Sequence, residues 1–223
     1  MSLKELIQRN LYFFVPYLAF LIMLLIPLIL ESRVSVQSFT NQHHSLVSDC
    51  FFKYITCLGG GLITVIVSVL FLLISFRKSL FIFLTFAGGG LLVQILKRVF
   101  FPGALRPFKF LNGVYELYLV EGIRIRYFFS FPSGHAATAF GLFLCLAILA
   151  KGKPVKLICF IMAALVAFSR VYLSQHFLID VYFGSMIGVA FALLFYRILF
   201  SSGKKWLDRG ILDYLKSGHH ATQ

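Results

Sequence analysis

Residues 11–30 read LYFFVPYLAFLIMLLIPLIL, twenty positions without a charge. A bilayer core about 30 Å thick takes about 20 apolar residues per helix, so this stretch reads as a transmembrane helix. Working outward, the same criterion gives five more spans: Ile55 to Phe76, Ser79 to Leu96, Pro132 to Ala150, Pro154 to Tyr172 and Gln175 to Tyr196. The composition agrees. The 223 residues are 60% hydrophobic and only 13% charged, against about 25% charged for a soluble domain. The expected fold is all-α, a polytopic membrane protein of six transmembrane helices forming a single domain over 1–223.

Other classes fall away. The stretch 11–30 follows Lys4 and Arg9 as a signal peptide would, but it is too long, and Glu31-Ser32-Arg33 follows instead of a small-x-small cleavage site. It is expected to be retained. The net charge of +13 would suit nucleic acid, but long apolar runs separate the charges, so the expected partner is the bilayer and not nucleic acid. Four Cys are too few for a secreted disulfide scaffold. The apolar content excludes disorder.

Lys and Arg set the orientation. Twelve lie on the side of the N-terminus, Arg77-Lys78, the loop Lys151 to Lys156 and the tail; nine lie on the other, six of them between Lys97 and Arg126. The richer side is expected to be cytoplasmic, with both termini inside. Gly184 and Gly188 form a small-xxx-small pair that suits close helix packing, and packing is also the reading of Gly59 to Gly61 and Gly88 to Gly90.

Ionisable residues near apolar spans are costly and point to function. Three clusters fall at the outer helix ends of this topology. The first is Lys97-Arg98, then Arg106-Pro107; a guanidinium offers a rigid fork for phosphate or carboxylate oxygens. The second is Pro132-Ser133-Gly134-His135. With Pro132 at the first helical position, the amides of Ser133, Gly134 and His135 are unsatisfied donors at a helix start, which suits an anion. The third is Ser169-Arg170, His176 and Asp180. On a helix, positions 176 and 180 share a face, and the carboxylate fixes the tautomer of the imidazole. The Cys are scattered and the His are not at metal-ligand spacing, so neither metal nor cofactor is expected. Two His, an orienting carboxylate and several cations make a metal-free phosphoryl-transfer set. The residues alone leave open which His attacks.

These motifs resemble those of the type 2 phosphatidic acid phosphatase superfamily. Its pattern is Lys, a spacer and Arg-Pro; Pro-Ser-Gly-His; and Ser-Arg, five residues, His, three residues, Asp. The second and third match fully, and the motif-bearing core covers 79–196. The first departs: the usual spacer is six residues, whereas Lys97 gives eight and Arg98 gives seven. Neither gives the usual spacing, so the sequence leaves open whether Lys97 or Arg98 takes the motif's first position. The resemblance implies a ping-pong phosphomonoesterase with His176 as nucleophile, Asp180 orienting it, and His135 as acid and then base. Arg106, Arg170, Lys97 or Arg98, Ser133 and the Gly134 amide would hold the phosphate.

The expected substrate is a phosphorylated membrane lipid. The aromatic loop Phe108 to Phe131 would lie along the interface, and Lys109, Arg124 and Arg126 would recruit a polyanionic headgroup or simply meet anionic lipids. The leading expectation is lipid A phosphate; undecaprenyl pyrophosphate, phosphatidylglycerol phosphate and phosphatidic acid are the alternatives. A lipid phosphotransferase would use the same residues, while a transporter would carry its charges at the midplane. The compact size resembles bacterial members, so the expected location is the bacterial inner membrane with a periplasmic active site. His43-His44 reads as solvated, Cys50 and Cys57 as able to pair, Cys145 and Cys159 as packing groups, and 201–223 as an amphipathic segment on the inner leaflet.

Overall fold

A computed structural model describes residues 2–220. Every regular element among them is helical. A short α1 (Leu3–Arg9), capped by Ser2, turns at Asn10 into α2 (Leu11–Leu30). Then follow α3 (Arg33–Gln42), α4 (Leu46–Ile55), a 3-10 turn (Thr56–Gly59) and α5 (Gly61–Leu72). Helix α6 (Phe76–Ile95) runs on through a π turn (Leu96–Phe100). After α7 (Pro107–Leu111) comes an irregular loop, then α8 (Gly134–Leu149), α9 (Lys153–Tyr172) and α10 (Leu178–Phe200). A 3-10 turn (Lys205–Asp208) leads to α11 (Ile211–His220).

The bundle wears its apolar side chains outward as well as inward. Met23, Ile29, Leu30 and Leu62 are 65%, 71%, 75% and 73% exposed, an arrangement stable only where the solvent is hydrocarbon. Inside, Phe13, Phe81 and Phe140 are fully buried.

Of the six expected spans, four or five meet the length and hydropathy expected of a membrane-crossing helix. Among the described residues, four helices are long and apolar enough to cross a membrane: Leu11–Leu30, Phe76–Phe100, Lys153–Tyr172 and Leu178–Phe200. A fifth is made if Leu46–Gly59 and Gly61–Leu72 count together across their 52° bend. The expected helix from Ile55 to Phe76 is broken because Gly60 is extended, at φ −75° and ψ 142°. The stretch at 132–150 gives the 16-residue α8, about 24 Å long at 1.5 Å per residue. That is short of the bilayer core, but α8 packs against α6, α9 and α10, and a helix walled by protein has no lipid thickness to match.

The close contact of α8 with α10 depends on the small-residue pair read from the sequence. A Cβ at Gly184 would run into the Ser133 carbonyl, and one at Gly188 into the Ala137 carbonyl. Backbone against backbone is how helices gain contact where no hydrophobic effect separates protein from lipid. It also draws the start of α8 against the start of α10, where the motif residues lie.

One further expectation is corrected. His44 is not solvated: its side chain is 8% exposed, and Nδ1 lies 2.6 Å from Asp49 Oδ1. Cys50 and Cys57 are both free and exposed. In the tail, Trp206, Ile211, Leu212 and Leu215 are exposed, while Leu207 is buried; the expected amphipathic segment extends to residues 221–223, which lie outside the described residues.

Candidate active site

The third motif makes its own turn. The amides of Gln175 and His176 both donate to the Arg170 carbonyl, at 3.0 and 3.1 Å, so the chain leaves α9 and folds straight back. Ser174 takes φ +51° in this turn. His176 therefore precedes α10 rather than riding on it, and the expected shared helix face is replaced by a cap. Phe177 is the N-cap, and Asp180, three residues on, accepts its amide at 3.0 Å. The same oxygen, Asp180 Oδ2, lies 3.2 Å from His176 Nδ1 and accepts from Ser130 Oγ. One carboxylate oxygen thus holds the helix start, the imidazole and the loop before α8.

His176 is 2% exposed. Burial, then Arg106, Lys97, Arg170 and His135 around it, push its pKa well below the ordinary histidine value. A ring kept neutral, with Nδ1 turned to Asp180, leaves Nε2 with a free lone pair.

The second motif starts α8 two residues later than expected. Gly134, not Pro132, is the first helical residue, and Ser133 caps it, with Oγ accepting the Ala136 amide at 3.5 Å. The Ser133 amide is already used, donating 2.8 Å to the Asp180 carbonyl. Only Gly134 and His135 therefore present first-turn amides, which have no partner within the helix. The bond from Ser133 to Asp180 also ties the two histidine-bearing elements together.

The cations differ in placement. Arg170 is 7% exposed; its Nη1 donates to Thr56 Oγ1 at 2.7 Å, and its Nε is buried without a partner. Thr56 opens the 3-10 turn that packs against α8 and α9. Arg106 is 4% exposed, with Nε on the Phe128 carbonyl at 2.9 Å and Nη1 on the Gln175 carbonyl at 2.8 Å. Lys97 is buried, and its Nζ donates to the Phe129 carbonyl at 2.9 Å. Arg98 is exposed and reaches back along its helix to Gln94 Oε1 at 3.3 Å. The geometry separates the two residues that the spacer leaves open: Lys97 turns in and Arg98 turns out. The π turn makes this possible, since one wide turn re-aims the side chains at the end of α6.

The structure thus gathers His135, His176, Asp180, Lys97, Arg106, Arg170, Ser133 and Gly134 at one end of the bundle, and leaves Arg98 at its edge. Sequence reasoning misses Ser130 and Thr56, because a lone hydroxyl in a loop carries no periodicity or charge to mark it. It also misses a polar network that braces the histidine turn. Gln37 Nε2 donates to the Val171 carbonyl and Ser174 Oγ at 3.0 and 3.1 Å. Asn41 pairs with the Tyr118 backbone, accepting from N and donating to O at 2.8 Å each. Tyr172 and Tyr118 donate to Asp49 at 2.6 and 2.9 Å. Among the described residues, His, Cys, Asp and Glu form no group of three or more suited to a metal.

Comparisons with known proteins bear on the fold and on the family. Two solved structures share the fold. The crystal structure of Aquifex aeolicus LpxE superposes with a TM-score of 0.64 at 24% identity, covering 74% of this chain and 94% of that one. A transmembrane PAP2 type phosphatidylglycerolphosphate phosphatase from Bacillus subtilis gives 0.63 at 21% identity, covering 88% and 98%. Curated protein sequences contain no significant match. The family profile described as "PAP2 superfamily" matches residues 78–204, which hold all three motifs. By that match over more than half its length, the chain belongs to the PAP2 superfamily.

Proposed function

We infer that this protein is an integral-membrane lipid phosphatase that removes a phosphate from a lipid headgroup through a phosphohistidine. The observation that carries the reading is His176: neutral, buried, held at Nδ1 by Asp180, and faced by three cations. In the first step His176 Nε2 attacks phosphorus. The N–P bond forms as the P–O bond to the lipid breaks, and His135 gives its proton to the leaving alkoxide. In the second step His135 takes a proton from water, the water oxygen bonds to phosphorus, and the N–P bond breaks to return neutral His176. Lys97, Arg106 and Arg170, with the amides of Gly134 and His135, stabilise the charge on the phosphoryl oxygens, work done by metal ions in other phosphoryl transferases. The reaction is thus metal-independent.

Six helices cross the membrane in this proposal. The short α8 and the bent α4–α5 pair count as spans, both termini are cytoplasmic, and the site opens at the periplasmic face of a bacterial inner membrane. The leading substrate is lipid A phosphate, with undecaprenyl pyrophosphate, phosphatidylglycerol phosphate and phosphatidic acid as alternatives. The test is phosphate release from these four lipids by purified protein with EDTA present. Wild type is expected to release phosphate from at least one, and His176→Ala from none. Loss of release on adding EDTA would overturn metal independence. Phosphate passed to a second lipid instead of water would make the protein a phosphotransferase.

A further inference from the structure

The cleft beside the site holds more positive charge than one phosphate requires. It has a volume of about 570 Å³, and Lys97, Arg98, Arg106, Arg124 and Arg126 line it with no Asp or Glu. Lys97 and Arg106 reach inward to the catalytic groups. Arg98, Arg124 and Arg126 are exposed, and the ion pairs among the described residues lie elsewhere, at His44–Asp49, Arg77–Asp208 and His176–Asp180. Arg126 is close enough to Arg106 that its charge, after burial, helps bring the Arg106 pKa down to about 10.

The two loop arginines are not on a free strand. The backbone around them is pinned by Arg106 N to the Tyr127 carbonyl at 2.9 Å and by Ser130 N to the Ala104 carbonyl at 3.0 Å. These bonds hold the stretch just after Arg126 beside Arg106, and Arg124 and Arg126 line the same cleft as Arg106. A phosphate monoester carries about two negative charges, which Lys97, Arg106 and Arg170 already match. Three more guanidinium groups line the same cleft without a carboxylate, and an anion among them relieves what repulsion water leaves unscreened. Cations that merely meet a lipid surface need no such convergence: Lys109, on α7, is exposed and does not line the cleft.

We propose that Arg98, Arg124 and Arg126 form a second anion subsite, which takes a further phosphate on the same headgroup beyond the one removed. The substrate class is then a polyanionic lipid, with the second group either in a diphosphate or on a separate oxygen. The proposal rests on the phosphatase reading above. The test compares kcat/KM in mixed micelles for phosphatidic acid, for diacylglycerol pyrophosphate of the same acyl chains, and for phosphatidylglycerol phosphate. The proteins are wild type, Arg124→Gln/Arg126→Gln and Lys109→Gln. Wild type is expected to favour at least one of the two polyanionic lipids, and whichever it favours tells the diphosphate from the separate phosphate. In the double variant the ratio of that kcat/KM to the value for phosphatidic acid falls about tenfold, mainly through KM, as loss of charge-assisted hydrogen bonds implies. Lys109→Gln leaves the ratio where it was. An unchanged ratio in the double variant, or an equal fall in Lys109→Gln, overturns the subsite while leaving the phosphatase reading intact. Failure of wild type to hydrolyse either polyanionic lipid overturns the subsite, and the phosphatase reading falls with it only if lipid A and undecaprenyl pyrophosphate are left intact as well.

Discussion

Helices α6 and α9 each carry a buried basic residue near either end, and the two ends treat them differently. At one end Arg77 is matched almost atom for atom. It pairs with Asp208 at 2.6 Å, and donates to the carbonyls of Ser202 and Lys204 at 3.0 and 2.8 Å and to that of Leu199. Lys156 donates to the Arg9 carbonyl at 2.9 Å and to Asn10 Oδ1 at 2.7 Å. At the other end Lys97 has one carbonyl, and Arg170 has one hydroxyl and an unpartnered Nε. A buried cation with few partners is costly. One end uses its cations to close the structure; the other leaves donors without protein partners, which the proposed phosphate would take.

The contrast can be broken from either side. The largest effect is expected at Arg170. Arg170→Ala should lower phosphate release by about 10²–10³-fold, the scale for a donor aimed at developing charge, with thermal stability in detergent nearly unchanged. Arg77→Ala should do the reverse. It should lose about 2–3 kcal/mol of stability, as several buried carbonyls lose their donor, while the activity of the folded fraction stays the same. A stability loss at Arg170 equal to that at Arg77 would erase the distinction.

Smaller effects sharpen it. Ser130→Ala removes one of the donors to Asp180 Oδ2 and should lower kcat about tenfold, the worth of one hydrogen bond to a charged group. Ser130→Thr should restore most of it. An unaltered kcat in Ser130→Ala would remove Ser130 from the account. The smallest effect is on pH dependence. The folded protein holds His176 neutral, whereas the unfolded chain protonates it near pH 6.5, about the model-peptide value. The unfolded state then binds more protons, so stability is lost as pH falls below about 6.5. His176→Asn should show a shallower fall in Tm between pH 7 and 5 than wild type; an identical slope would contradict the burial of a neutral ring.

How much of this was legible in the sequence depends on how local the cause is. The span at Leu11–Leu30 coincides with α2, and that at Pro154–Tyr172 with α9 but for one residue, because uncharged runs and a first-turn proline are read directly. The motif residues were legible because their types and spacing carry chemistry. The break at Gly60 was hidden inside an unbroken apolar run. Helix α3 was hidden because it is short and mostly polar, its buried Gln37 and Asn41 facing the histidine turn. The inward turn of Lys97 was settled by a π turn, and Ser130 by a loop that returns to Asp180. These are tertiary facts with no local signature.

The central claim is that His176 carries the phosphoryl group. The direct measurement is to quench turnover of a 32P-labelled lipid within milliseconds and map any label on the protein. The account predicts an alkali-stable, acid-labile phosphoprotein whose label lies on the peptide containing His176, absent in His176→Ala. Label on another residue, or steady turnover in His176→Ala, would contradict it.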